Sequence, residues 1–236
     1  LRYAERGTRS HVTAWKTQIE PLGDGALLIR LGDRIDESTH RRVTAVLAHL
    51  SANPFPGMIE CVPAFTTVAV HYDLRRVVFA TASALVEDLL KTVRPVDLST
   101  SDPIEIPVCY GGDLGPDLRQ VAEHAGISAD EVVRVHAGGD YRVYMIGFSP
   151  GFPFLGGLPE RIATPRRSSP RVAVPAGSVA IGGAQTGVYP TESPGGWNII
   201  GRTRLALFRP DLDPPTLLKM GDRVRFRPIS RPEFDQ

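Results

Sequence analysis

The sequence predicts an α+β protein in which a small antiparallel sheet with helices is followed by a β-barrel domain. Two patterns support this prediction. Residues 17–94 contain apolar runs in the order β-β-α-β-β-α, and the chain after residue 141 consists of short apolar runs separated by glycine and proline. A polar segment, 94–103, separates the two patterns, so we expect domains at 17–94 and 104–230.

The first domain should begin with a hairpin, because two β-prone runs flank Gly23-Asp24-Gly25. Asp36 can cap the helix that should come next, and an apolar stripe at helical spacing follows it: Val43, Val46, Leu47 and Leu50. The remaining expected elements of this domain are strands at 57–62 and 67–72 and a helix at 78–93.

The second domain should begin with a strand at 104–110. Pro116 fits the first position of a helix that Gly126 closes, and Ser128 with Glu131 forms a capping box for the next helix, which ends near Ala137. Strands then dominate, at YRVYMIGF, VAVPAG, SVAIGG, WNIIG, LALF and DRVRFRPI. Short strands with glycine and proline turns indicate a closed or nearly closed barrel.

The composition excludes several classes of protein. The 27 lysines and arginines are scattered among 26 acidic residues, which argues against a nucleic-acid surface. No apolar run is long enough to span a bilayer and no signal peptide is recognisable, so we expect a cytoplasmic protein without a membrane partner. Cys61 and Cys109 lie in apolar runs outside any metal-binding spacing, so no metal site is expected. Residues 1–16 are expected to be a disordered or non-native lead-in.

The stretch from 145 to 201 contains 11 of the 23 glycines and 8 of the 21 prolines. Apolar and aromatic residues interrupt these turn formers at strand-like spacing, so we expect short strands joined by tightly specified loops. Loops on a rigid barrel are common places for binding sites.

Three strings in the second domain carry a family resemblance: GFSPGFPFLGGLP, VPAGSVAIGGAQTGVYPTESPGGWNIIGRT and LLKMGDRVRFRPI. They resemble the family that comprises the B subunit of 5-oxoprolinase, KipI and allophanate hydrolase subunit 1. The resemblance implies that the barrel is cyclophilin-like. Phe154 departs from the family pattern, which often has tyrosine there, so a hydroxyl that could help to bind a ligand is absent.

The resemblance also implies a function. Members act as the B component of a heteromeric ATP-dependent 5-oxoprolinase, together with a larger barrel protein, the C component (KipA-like), and a third protein, the A component. ATP with Mg²⁺ is used at the level of the complex. Two alternatives stay open: an inhibitor of a histidine kinase, which is a binding module, and a carboxyl-transfer component of a urea amidolyase or allophanate hydrolase system.

His136 and Asp117 are the candidate catalytic residues. An imidazole can transfer protons near neutral pH, and His136 ends a predicted helix just before the central strand. The alternative is a helix-terminal histidine stabilised by the helix dipole. Asp117 could orient a base, a role that rests on the resemblance, or could simply complement the dipole of the helix that follows it.

Substrate binding is expected in the glycine-rich loops, where backbone N–H groups can form an anion-binding nest. The candidates are Gly182, Gly183, Gln185, Thr186, Gly187, Glu192, Gly195 and Gly196. The alternative is that these glycines only form barrel corners. Three aromatic residues, Phe152, Phe154 and Trp197, are candidates for a partner interface.

The sequence contains no P-loop, no GxSxG elbow and no HExxH motif. An independent ATPase, serine hydrolase or metalloprotease is therefore not supported. We expect a site that is completed by a partner and a chain that is inactive alone.

Overall fold

The computed structural model describes residues 17–96 and 102–236. The predicted lead-in at 1–16 lies outside the described residues. The chain divides into two compact units, and the division falls in the polar segment 94–103.

The first unit is a four-stranded antiparallel sheet with two helices, in the strand order β1-β2-β4-β3. Its elements are β1 (Gln18–Pro21), β2 (Ala26–Arg30), α1 (Glu37–Ala52), β3 (Met58–Pro63), β4 (Thr67–Tyr72) and α2 (Phe79–Leu90). Asp36 caps α1 as predicted, since its carboxylate accepts the N–H of Thr39 at 2.8 Å. Helix α2 ends before the predicted residue 93, because the N–H groups of residues 91–93 donate to carbonyls three residues back, which is a tighter turn than that of an α-helix.

The second unit contains a closed seven-stranded barrel, in the order β10-β7-β6-β13-β5-β12-β9. Its strands are β5 (Ile104–Tyr110), β6 (Tyr141–Ile146), β7 (Pro153–Gly156), β8 (Arg171–Val174), β9 (Ser178–Gly182), β10 (Gln185–Val188), β11 (Ser193–Gly195), β12 (Asn198–Arg202) and β13 (Arg223–Pro228). Strands β13 and β5 are parallel, the other barrel neighbours are antiparallel, and β8 and β11 form a separate ribbon. The predicted α+β class with a barrel is confirmed.

The helices of the second unit are α3 (Leu118–Ala125), α4 (Ala129–Ala137) and the short α5 (Arg231–Asp235). The predicted caps of the first two are present: Gly126 is left-handed after α3, and the Ser128 hydroxyl accepts the N–H of Glu131 at the start of α4. Helix α3 begins two residues after Pro116. The LALF segment, predicted as a strand, contributes only an isolated bridge from Phe208 to Thr216.

The barrel wall separates two hydrophobic clusters, because successive strand residues face opposite sides. Val179 and Ile181 belong to the main core, which also includes buried residues of α3 and α4. Ala180, between them, faces an aromatic cluster that includes Phe152 and Trp197. Among residues 17–96 and 102–236, no helix is long and apolar enough to cross a membrane.

Candidate functional site

His136 lies in the last turn of α4 and is fully buried. Its backbone is held in place by Tyr141, whose hydroxyl donates to the His136 carbonyl at 2.7 Å. Its ring packs on the ring of Phe226, with 4.4 Å between the centroids. The predicted catalytic residue therefore sits in the main core of the barrel unit.

Both ring nitrogens of His136 have hydrogen-bond partners. Nδ1 lies 2.8 Å from the Tyr110 hydroxyl, and Nε2 lies 2.9 Å from Oγ1 of Thr186. The Thr186 hydroxyl donates its single proton to the carbonyl of Ala180, so it must accept the proton of Nε2. The contacts thus select the Nε2–H tautomer, whose Nδ1 accepts from Tyr110.

Burial holds this network in its neutral form. It lowers the pKa of His136 to about 3, because a charged imidazolium would lose its hydration. Burial also raises the pKa of Tyr110 well above its usual value, so the phenol stays a donor. The ring can transfer a proton to a substrate only if the contact with Tyr110 or Thr186 opens.

Asp117 is the buried centre of an ion-pair cluster with two partly exposed arginines. Its carboxylate accepts two bonds from Arg171 at 2.8 Å each and one from Arg167 at 2.8 Å. The N–H of Ile199 donates the fourth bond at 2.7 Å. Although Asp117 stands at the start of α3, its side chain does not cap that helix. Instead it ties the segment that contains the two arginines to strand β12.

The glycine-rich hairpin of β9 and β10 turns at Gly183, which is left-handed and has open space where a Cβ would lie. Gly182 and Gly187 are packed instead: a Cβ would overlap the indole of Trp197 at the first, and at the second it would overlap the carbonyl oxygen of Pro153 and crowd the ring of Phe152. These two glycines let aromatic rings lie directly on the strands. The side-chain nitrogen of Gln185 is buried without a hydrogen-bond partner in this hairpin.

The rings on this side of the wall form a connected cluster, which we call the aromatic face: Phe148, Phe152, Phe154, Tyr189 and Trp197. Phe152 and Trp197 are buried, whereas Phe148 is 64% exposed. Phe148 has a φ of 69°, a conformation that a bulky residue rarely adopts. The guanidinium of Arg166 lies 5.9 Å from the Trp197 ring centre.

The loop that carries Glu192 begins and ends against this face. Glu192 itself is exposed. A Cβ at Gly195 would overlap the Tyr189 ring, and the carbonyl of Gly196 accepts the N–H of Arg167 at 2.8 Å. Gly195 is thus held by packing and Gly196 by a backbone hydrogen bond, whereas the side chain of Glu192 is exposed to solvent.

Comparison with known proteins places these features in a family. Residues 17–218 match the family described as the carboxyltransferase domain, subdomains C and D. The chain belongs to this family. It is 50% identical to the B subunit of 5-oxoprolinase from Bacillus subtilis over 92% of this chain and 95% of the relative. It is 42% identical to the B subunit of 5-oxoprolinase from Escherichia coli O157:H7, over 88% and 94% of the two chains.

A solved structure, TTHA0988, resembles this member of the carboxyltransferase-domain family with a TM-score of 0.77 and 38% identity. The match covers 88% of this chain and 41% of TTHA0988. The chain therefore spans about two fifths of that solved protein.

The structure brings only some of the predicted site residues of this carboxyltransferase-domain member together. His136 and Thr186 share a hydrogen bond in the core, whereas Asp117 belongs to a separate cluster with two arginines. The partners Tyr110, Arg167 and Arg171 were not predicted, and neither was the backbone conformation of Phe148. A buried carboxylate needs cations, so the arginines that flank Ser168 were the available signal for the Asp117 cluster.

Proposed function

We propose that the chain is the B component of a heteromeric ATP-dependent 5-oxoprolinase. The enzyme would convert 5-oxo-L-proline, ATP and water to L-glutamate, ADP and phosphate, with a larger barrel protein as its C component and a third protein as its A component. The observation that carries this proposal is the 50% identity to a protein named as the B subunit of 5-oxoprolinase, over nearly the full length of both chains.

The chemistry explains why several proteins would cooperate. The lactam of 5-oxoproline is an unactivated amide, and phosphorylation of its oxygen makes a leaving group and raises the electrophilicity of the carbonyl carbon. Among residues 17–96 and 102–236, no three His, Cys, Asp or Glu side chains converge as a metal site. Mg²⁺ on a nucleotide commonly takes one or two protein carboxylates beside the phosphates, so ATP is placed at the level of the complex and no step at ATP is assigned to this chain.

The aromatic face is the proposed contact with the C component. Aromatic side chains are common among the residues that dominate binding energy at protein interfaces. The predicted interface residues Phe152, Phe154 and Trp197 form its support, and Phe148 projects from it with most of its ring exposed. Backbone strain is often kept at functional sites, which supports a role for Phe148 as the anchor.

Within the proposed enzyme, His136 is better suited to positioning than to direct proton transfer. Its ring is neutral, buried and hydrogen-bonded at both nitrogens. Through Thr186 it holds strand β10, which carries Gln185. The proposed substrate contacts are the side chains of Gln185 and Glu192 and the backbone N–H groups at Gly183.

Complementation tests this proposal. The chain is expressed in a Bacillus subtilis strain that lacks its own B component of 5-oxoprolinase, and glutamate formation from 5-oxoproline is measured in extracts with and without ATP. We expect ATP-dependent activity well above that of the deletion strain. An extract that contains the folded chain at the level of the native protein but forms no glutamate would refute the proposal.

A further inference from the structure

The barrel unit has an open cleft of about 510 Å³ at one rim of the wall. Strand β9 begins there, and its neighbours β10 and β12 both end there. The glycine-rich turn at Gly183 lies at the other end of β9. The cleft is therefore separate from the hairpin turn at Gly183. Pro190, which precedes Glu192 in its loop, lines the cleft.

The walls of the cleft are fixed by backbone hydrogen bonds. The N–H of Gly177 donates to the Tyr189 carbonyl at 2.7 Å, and the N–H of Thr203 donates to the Gly177 carbonyl at 2.9 Å. Gly177 is left-handed, and a Cβ there would overlap the carbonyl oxygen of Thr203. Such a rigid rim is preorganised, which reduces the entropy that a ligand would have to overcome.

Two arginines supply positive charge to the cleft. Arg202 donates its Nε–H to the Ala176 carbonyl at 2.8 Å, and Arg204 donates to the Phe234 carbonyl at 3.0 Å. Within the described ranges, 17–96 and 102–236, neither guanidinium forms a direct ion pair with a carboxylate, although the charge of Arg202 contributes to lowering the pKa of Asp113. Each therefore keeps N–H donors that match the two oxygens of a carboxylate.

Apart from the two arginines and Thr203, the side chains that line the cleft are apolar. Ala176, Pro190 and Leu205 contribute to it, and the ring of Phe234 lies 5.9 Å from the Arg204 guanidinium. An apolar wall disfavours a highly hydrated, multiply charged ligand such as phosphate. It suits a single carboxylate attached to a compact uncharged body, and the volume is within the range of small-molecule sites.

We propose that this cleft binds the carboxylate of a small monocarboxylic acid through Arg202 and Arg204. The acid proposed is 5-oxo-L-proline, and in that respect the inference rests on the proposed function. The cleft is an alternative to the substrate contacts at Gly183 and Gln185, because these lie at the other end of β9 and one small acid cannot occupy both places. The lactam ring would lie on Leu205 and Phe234, with its carboxylate toward the two guanidinium groups.

Calorimetric titration of the full chain tests the cleft. The ligands are 5-oxo-L-proline, 2-pyrrolidinone, which has the same lactam without the carboxylate, and inorganic phosphate. The variants are Arg202→Gln, Arg204→Gln and, as the control, Arg225→Gln on the exposed side of β13. Circular dichroism verifies that each variant is folded. If Arg202→Gln does not fold, Arg204→Gln still tests the cleft, because Arg204 is the more exposed of the two arginines.

We expect 5-oxo-L-proline to bind, 2-pyrrolidinone and phosphate not to bind, and each cleft variant to weaken binding at least tenfold while Arg225→Gln does not. Absent binding, binding of phosphate instead, or equal affinity in the variants would overturn the proposal. The enzyme assay separates this result from the proposed function. If the complex forms glutamate with an unchanged KM in the Arg204→Gln variant, the cleft is wrong and the function stands. If the chain binds the acid and the complex is inactive, the function is wrong.

Discussion

The hydroxyl of Tyr110 lies 2.8 Å from Nδ1 of His136, and the second nitrogen of that ring donates to Thr186. Three elements, β5, α4 and β10, are joined by this chain of two hydrogen bonds. Each member has one protonation state that satisfies all its partners. The network therefore specifies how α4 meets the barrel and makes the imidazole a part of the core.

The tautomer of His136 is directly measurable. We expect its ring nitrogens to report the Nε2–H form by long-range ¹⁵N–¹H NMR, with no change between pH 8 and pH 5, because burial lowers the pKa to about 3. Titration of His136 near its ordinary pKa would contradict the assigned network.

The same shift predicts a pH dependence of stability. The folded-state pKa of His136 lies below the unfolded value of 6.5, so between about pH 3 and pH 6.5 the unfolded chain binds more protons. The free energy of unfolding should therefore decrease as the pH falls through this window, with a contribution from His136 of up to about 1.4 kcal/mol per pH unit. Urea denaturation of the wild type and of His136→Gln measures it, and the variant should show the shallower dependence. Equal slopes would assign the effect to other groups.

Loss of the Tyr110 hydroxyl should leave Nδ1 of His136 unpaired in the core. We expect Tyr110→Phe to lower the free energy of unfolding by about 1–3 kcal/mol, the cost of an unsatisfied buried polar group. Urea denaturation at pH 7.5 measures this change. A variant as stable as the wild type would indicate that the hydrogen bond contributes nothing.

Asp117 should be far more important for stability than the nearby Asp113. Asp117 is 4% exposed and is paired with two arginines, so Asp117→Ala leaves two cations without their anion. We expect a loss on the order of 3 kcal/mol, at the low end for buried ion pairs because both arginines are partly exposed. The matched control is Asp113→Ala, which breaks an exposed pair with Arg231 and should hardly move the urea midpoint. Similar effects of both variants would contradict the account.

Phe148 should affect association without affecting folding. Because its ring is 64% exposed, Phe148→Ala should change the free energy of unfolding by no more than about 0.5 kcal/mol. Its affinity for the C component, measured by biolayer interferometry, should fall at least tenfold. Val172→Ala is the control, since Val172 is 90% exposed and lies on β8 outside the aromatic face. Unchanged affinity of the Phe148 variant would remove this residue from the interface.

Local signals in the sequence were sufficient for part of the fold. Asp36 and Ser128 each cap a helix by accepting the backbone N–H three residues ahead, which is a local signal. Strand β5 also has the predicted bounds. Strands β7 and β10 were not predicted, because their glycines and prolines resemble turns and their pairing is decided by neighbours elsewhere in the barrel.

The site was less predictable because its contacts are distant in sequence. His136 meets partners 26 and 50 residues away, and Asp117 meets arginines 50 and 54 residues away. No local pattern distinguishes a buried histidine from an exposed one at a helix end. The aromatic residues of the face were visible, whereas the positive φ of Phe148 depends on the packing of its loop.

The most direct test of the central claim is an omission assay with the three purified components of the enzyme, in which this chain is the B component. Glutamate formed from 5-oxo-L-proline is measured with and without ATP, for the full set and for each set that lacks one component. The account predicts ATP-dependent glutamate only when all three components are present, and none from this chain alone. Activity that is the same with and without this chain, or no activity from three folded components, would contradict it.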